Sequence, residues 1–142
     1  MIFFDSSALL PLFVKEQRSS EMEKLVRSDP SLIVWWGTTV ECFSAFARLR
    51  RERVINTKQE QEIRGRLLSL RESWTEIQPS NDVRSLAQQL LLVHALSAAD
   101  CLQLAAALLW TDKLPSGHSF ACLDSKLAEA ALKEGFAAVP QL

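Results

Sequence analysis

The chain lacks the motifs that announce the commonest enzyme classes. No G-x-S-x-G, no Walker-type phosphate loop and no G-x-G-x-x-G occurs in its 142 residues, and no nucleophilic triad can be assembled. The three cysteines, Cys42, Cys101 and Cys122, are odd in number and without C-x-x-C spacing, so neither a disulfide framework nor a zinc site is indicated. Each is expected to be a small buried hydrophobe in a reducing cytosol. His94 and His118 show no metal-ligand spacing. Glycine (4) and proline (5) are sparse, and no repeat or low-complexity run is present, which with 48% hydrophobic residues sets aside disorder and solenoids. The opening MIFFDSSALLPLF is apolar but has no basic flank and is broken by Asp5, so it is expected to be neither signal peptide nor membrane span. Sixteen basic against seventeen acidic residues leave a net charge of -1, too little to attract nucleic acid through the whole-molecule field; any such contact must be local.

Apolar runs alternate with helical patterns along the whole chain. Ile2 to Phe4, Leu32 to Trp36, Thr75 to Gln78, His118 to Leu123 and Phe136 to Val139 read as strands. Helical spacing covers Leu9 to Val14, Ser19 to Arg27, Thr38 to Leu49, Asn56 to Ser73, Asn81 to Ala95, Ser97 to Trp110 and Asp124 to Glu134, with Gly135 as a C-cap. This alternation argues for one α/β domain over residues 1–142, built on a mostly parallel sheet of about four to five strands flanked by helices.

Four acids, Asp5, Glu41, Asp100 and Asp124, each stand where a strand ends or a helix begins. Backbone holds such side chains in place, and in open parallel sheets ligands gather at the carboxyl ends of the strands. Each acid also has a bland explanation: Thr38-x-x-Glu41 and Ser97-x-x-Asp100 fit capping boxes, and Asp5 and Asp124 could be ordinary caps. Their recurrence with a similar apolar setting is the informative part. Hard carboxylate oxygens in one place suit Mg2+ or Mn2+.

Arg48 falls nearly in line with Glu41 two helical turns earlier, so it points towards the acids, whereas Arg50 points away and, with Arg53, reads as a solvated face. Trp35 and Trp36 are adjacent at a strand end and cannot both face inward, which places one of them at a surface fit for a partner.

The segments IFFDSSALL, TTVECFSAFARLRR, HALSAADCLQLAAAL and FACLDSKLAEAALKEGF, in that order, resemble a PIN domain, specifically a VapC-type toxin ribonuclease of a toxin-antitoxin pair. The resemblance covers almost the whole chain. It matches Asp5, Glu41, Asp100 and Asp124 to the four family acids and Ser7 to the hydroxyl residue after the first. Cys122 departs from the pattern, standing where Thr or Ser commonly precedes the fourth acid by two, which removes a supporting hydrogen bond near Asp124. The resemblance implies a PIN-like three-layer fold, a magnesium- or manganese-dependent endoribonuclease in the cytoplasm, a homodimer, and inhibition by a VapB-like antitoxin. Asp5, Glu41, Asp100 and Asp124 would be its catalytic metal ligands, with Ser7 and Arg48 contacting the RNA.

Two other classes compete. A non-catalytic PIN-like module that binds protein or RNA would tolerate loss of an acid, yet all four are present. An acid-pocket phosphatase calls for a second acid beside Asp5, where Ser6 and Ser7 stand instead.

Overall fold

A computed structural model describes residues 1–141. Strand β1 (Ile2–Phe4) leads into a four-residue helix α1 (Ser6–Leu9) and a 3-10 turn at Leu10–Leu12. There follow α2 (Ser19–Ser28), β2 (Leu32–Trp35), α3 (Thr38–Arg51), α4 (Thr57–Arg71), β3 (Thr75–Ile77), α5 (Asn81–Val93), α6 (Ala98–Trp110), β4 (Ser119–Ala121), α7 (Ser125–Glu134) and β5 (Ala137–Val139). The first helical segment differs from the expected Leu9 to Val14. It begins directly at Ser6 because Asp5 caps it, and Pro11 tightens its continuation into the 3-10 turn.

All four strand pairings are parallel, in the order β3-β2-β1-β4-β5. The central strand reads Ile-Phe-Phe because both faces of a covered parallel sheet are dry. Ile2 and Phe4 pack on one side with Met22, Cys42, Phe46, Ile63 and Leu67 from α2, α3 and α4. Phe3 faces the other side, against Leu104, Leu127 and Leu90 from α6, α7 and α5. This is the α/β three-layer arrangement expected, with five strands, every one parallel to its neighbours.

From β1 the chain steps to β2 on one side, and after β3 it crosses to β4 on the other. The reversal falls at β1 and β4, where a crevice opens beyond the strand ends. The turn out of β2 is equally constrained: a Cβ at Gly37 would lie 2.6 Å from Trp35 Nε1, so any larger residue there has to displace the buried Trp35 ring. At the far end of α7, Gly135 closes the helix at φ 114°. No single helix among the described residues is long and apolar enough to cross a membrane.

Candidate active site

Asp5 follows β1 immediately, and its amide bonds the carbonyl of Ala121 at the end of β4 (2.9 Å). It is 3% exposed and caps α1: Oδ2 accepts from the Ser7 amide (3.1 Å) and hydroxyl (2.5 Å). The Ser7 hydroxyl in turn accepts from the Leu123 amide at 2.9 Å, so Ser7 ties the ends of β1 and β4 together around this carboxylate. Asp124 caps α7, its Oδ1 accepting from Lys126 (3.0 Å) and Leu127 (3.1 Å). Both aspartates are therefore helix caps, and each commits one oxygen to backbone. Asp5 Oδ1 and Asp124 Oδ2 take no hydrogen bond among the described residues.

Glu41 is held differently from the capping box its sequence context suggested. The N-cap of α3 is Gly37, one residue earlier than expected, which moves Thr38 into the helix. The Glu41 carboxylate instead accepts from Gln103 Nε2 (2.8 Å) and Ser6 Oγ (3.2 Å). At Asp100 half of the box forms: Ser97 Oγ accepts from the Asp100 amide at 3.2 Å, and no reciprocal bond to the Ser97 amide is made. An Asp is one methylene shorter than the Glu that usually closes the box.

The four acids line one cleft of about 460 Å3, together with Ser6, Ser7 and Arg48. None of the four is in a salt bridge among the described residues. The electrostatic consequence is visible in three of them. Burial, with a contribution from Asp100, raises Asp5 above the usual carboxylate range. Burial and repulsion from Asp5 and Asp100 push Glu41 up to about 7, against the lowering bonds from Gln103 and Ser6. Asp100 is raised by burial and by Asp124. No three His, Cys, Asp or Glu side chains among the described residues already converge on one coordination point. The donor set is nevertheless all hard oxygen without an ion-pair partner, which suits a hard divalent cation such as Mg2+ or Mn2+.

Sequence reasoning missed Gln103. It is fully buried on α6, one turn beyond Asp100, and bridges Thr38 Oγ1 (3.0 Å) and Glu41. A lone amide within the apolar run from Leu102 to Trp110 was the available signal. Two further expectations are corrected. Cys122 is buried, as are Cys42 and Cys101, but it is no inert filler: its sulfur lies 3.8 Å from Asp5 Oδ2, 3.6 Å from Ser7 Oγ and 3.3 Å from the Asp124 carbonyl. Ser7, rather than residue 122, supplies the hydroxyl that supports the cleft. Burial and the nearby Asp5 charge push the Cys122 thiol up to about 12. Arg50 is not a freely solvated charge, since its Nε donates to Glu60 of α4 at 2.6 Å; Arg53 is exposed as expected. His94 Nε2 meets Glu134 at 2.6 Å, linking the end of α5 to α7 away from the acids.

No family model and no curated protein matches the sequence. The fold does have solved counterparts. The chain superposes on VapC20 from Mycobacterium tuberculosis, described as a Sarcin-Ricin loop cleaving toxin, with a TM-score of 0.69 and 17% identity over 96% of this chain and 97% of that one. FitAcB from Neisseria gonorrhoeae gives 0.69 and 17% over 97% and 96%. A toxin-antitoxin complex from Klebsiella pneumoniae gives 0.61 and 20% over 89% and 88%. Identities this low establish shared architecture: the chain has the VapC-type PIN fold that its sequence segments resemble.

Proposed function

We propose that the chain is a divalent-metal-dependent endoribonuclease, acting in the cytoplasm as the toxin of a toxin-antitoxin pair. The observation that carries this reading is the cleft itself, in which four carboxylates share one space without an ion-pair partner. Two carboxylates about 4 Å apart repel by roughly 4 kcal/mol at an effective dielectric near 20, a cost tolerated mainly where a cation relieves it. Asp5, Asp100, Asp124 and Glu41 would hold Mg2+ or Mn2+, which when bound activates water and neutralises phosphodiester charge.

The chain's own groups do the positioning. Ser7 fixes the rotamer of Asp5, the α7 amides fix Asp124, and Ser6 and Gln103 fix Glu41. Arg48, exposed at the cleft wall, meets a phosphate of the RNA as a charge-assisted donor. An unpaired or loop segment is the suitable substrate, because a phosphate within a paired helix is harder to bring against a recessed site. Purified protein incubated with structured RNA tests this. Cleavage should need Mg2+ or Mn2+ and vanish in Asp5→Asn; cleavage undiminished by chelator overturns the reading.

The partner follows from the same charges. An antitoxin of VapB-like kind places an Arg or Lys among the carboxylates and covers Trp36 and Val40, which are 52% and 68% exposed at the start of α3. The active form is a homodimer. Expression of the chain alone, at verified levels, should arrest growth, and co-expression with the neighbouring small gene should yield a complex. Unrestrained growth would sink the toxin assignment.

A further inference from the structure

A second cavity, of about 370 Å3, adjoins the acid cleft. The two share Ser7, Leu10, Ala45 and Arg48, so they lie side by side with Arg48 lining both. Beyond those shared residues the chemistry changes. The cavity is walled by Leu10, Pro11, Val14, Leu49 and Leu123, with Glu16 as its single acid. An aliphatic slot beside the proposed phosphodiester site suits the one flat group tied to each phosphodiester, the nucleobase, whose two faces are apolar although its edges are polar.

We propose that this cavity is a subsite for the nucleobase that flanks the cleaved bond. The inference rests on the ribonuclease reading and adds to it the site that orients the substrate. Arg48 then lies between base and phosphate, where a guanidinium can pair with the phosphate and stack on the base at once. Aliphatic walls accept the faces of any base. Glu16 Oε1 is already engaged by the Arg18 amide at 3.0 Å, which leaves Oε2 to accept an N–H from the base edge.

The test compares two oligoribonucleotides, the shortest RNA the parent cleaves at a mapped bond and the same strand with an abasic residue beside that bond, on each side in turn. For the parent, kcat/KM should drop about tenfold or more when the correct flanking base is removed, the scale of one base-stacking contact. In Leu49→Trp, which fills the cavity, that ratio should fall to near one. Val14→Phe serves as an independent filling variant. Because the ratio is taken within each protein, a lowered folded fraction cancels. A parent indifferent to either base, or filled variants that keep the full ratio, overturns the inference and leaves the cavity to an apolar side chain of a protein partner. A parent that cleaves no RNA overturns the ribonuclease reading itself.

Discussion

Gln103 donates through Nε2 to Glu41 Oε2 at 2.8 Å and to Thr38 Oγ1 at 3.0 Å, so a buried amide on α6 sets the position of a carboxylate on α3. In Gln103→Leu the shape is nearly kept while both bonds are lost. Stability should fall by about 1–3 kcal/mol as Thr38 is left unpaired. Support of this kind around a metal ligand is typically worth 10- to 100-fold in affinity or activity. The variant should therefore need roughly tenfold more Mn2+ for half-maximal cleavage, and high Mn2+ should rescue it. A metal requirement equal to the parent's would show Gln103 to be a packing residue only.

The pH dependence of the metal-free protein has a definite sign. Glu41 titrates at about 7 in the folded chain against an ordinary value of 4.5, so between those values the folded state holds a proton that the unfolded state has released. Stability contributed by this group is present below pH 4.5 and is withdrawn as pH rises towards 7. With solvent screening of a half-exposed group, the loss is of the order of 1–2 kcal/mol. Urea unfolding at pH 5 and pH 7.5 in chelator should show the decline, and Glu41→Gln should flatten it. Parallel profiles for the two proteins would remove Glu41 from the account.

Asp100 separates capping from function. The capping bond runs from its amide to Ser97 Oγ, so Asp100→Asn keeps the cap. Loss of charge in the first helical turn costs about 0.3–1 kcal/mol. Relief of burial cost and of repulsion from Asp124, which together raise the Asp100 carboxyl, opposes it and should prevail; Asp5, which Asp100 raises, gains as well. The metal-free variant should melt at or above the parent, respond less to Mg2+ or Mn2+, and cleave no RNA. A variant that is less stable, equally responsive and fully active would make Asp100 a cap alone.

Arg48 and Arg50 are two residues apart and should behave oppositely. Arg50→Ala strands the Glu60 carboxylate, which is 7% exposed, and should cost roughly 1–2 kcal/mol with RNA cleavage retained. Arg48→Ala should leave the melting temperature unchanged and raise KM for RNA about tenfold, through loss of a charge-assisted contact. Thermal melts with steady-state kinetics distinguish the two patterns.

How much of this was legible in the sequence varies with the kind of residue. Strands and several helix starts were, because Asn56, Ser97 and Asp124 cap the helices that follow them, whereas α1 and α3 begin ahead of the expected positions. That one of Trp35 and Trp36 is exposed was legible too, although the reason is that β2 ends at the buried Trp35 and leaves Trp36 in the turn beyond it. The support of Glu41 was not legible, since Gln103 stands 62 residues away and a capping-box pattern at Thr38 offered a nearer explanation. Periodicity likewise gave the direction of Arg50 but not Glu60, which only the packing of α4 on α3 supplies. The place of Cys122 depends on β4 lying beside β1, a fact of topology rather than of local pattern.

The strand order also bears on when the cleft can exist. Asp5 leaves the ribosome early, yet its neighbour across the cleft follows β4, and β4 reaches β1 only after the chain has crossed over the sheet from β3. Contacts so distant in sequence form late and slowly. A partly made or partly folded chain carries its acids dispersed, and the cleft that all four line does not yet exist. On the ribonuclease reading proposed above, a nascent chain stays harmless to the ribosome and message producing it until its folding is complete, and a co-translated inhibitor needs to arrive only by that moment.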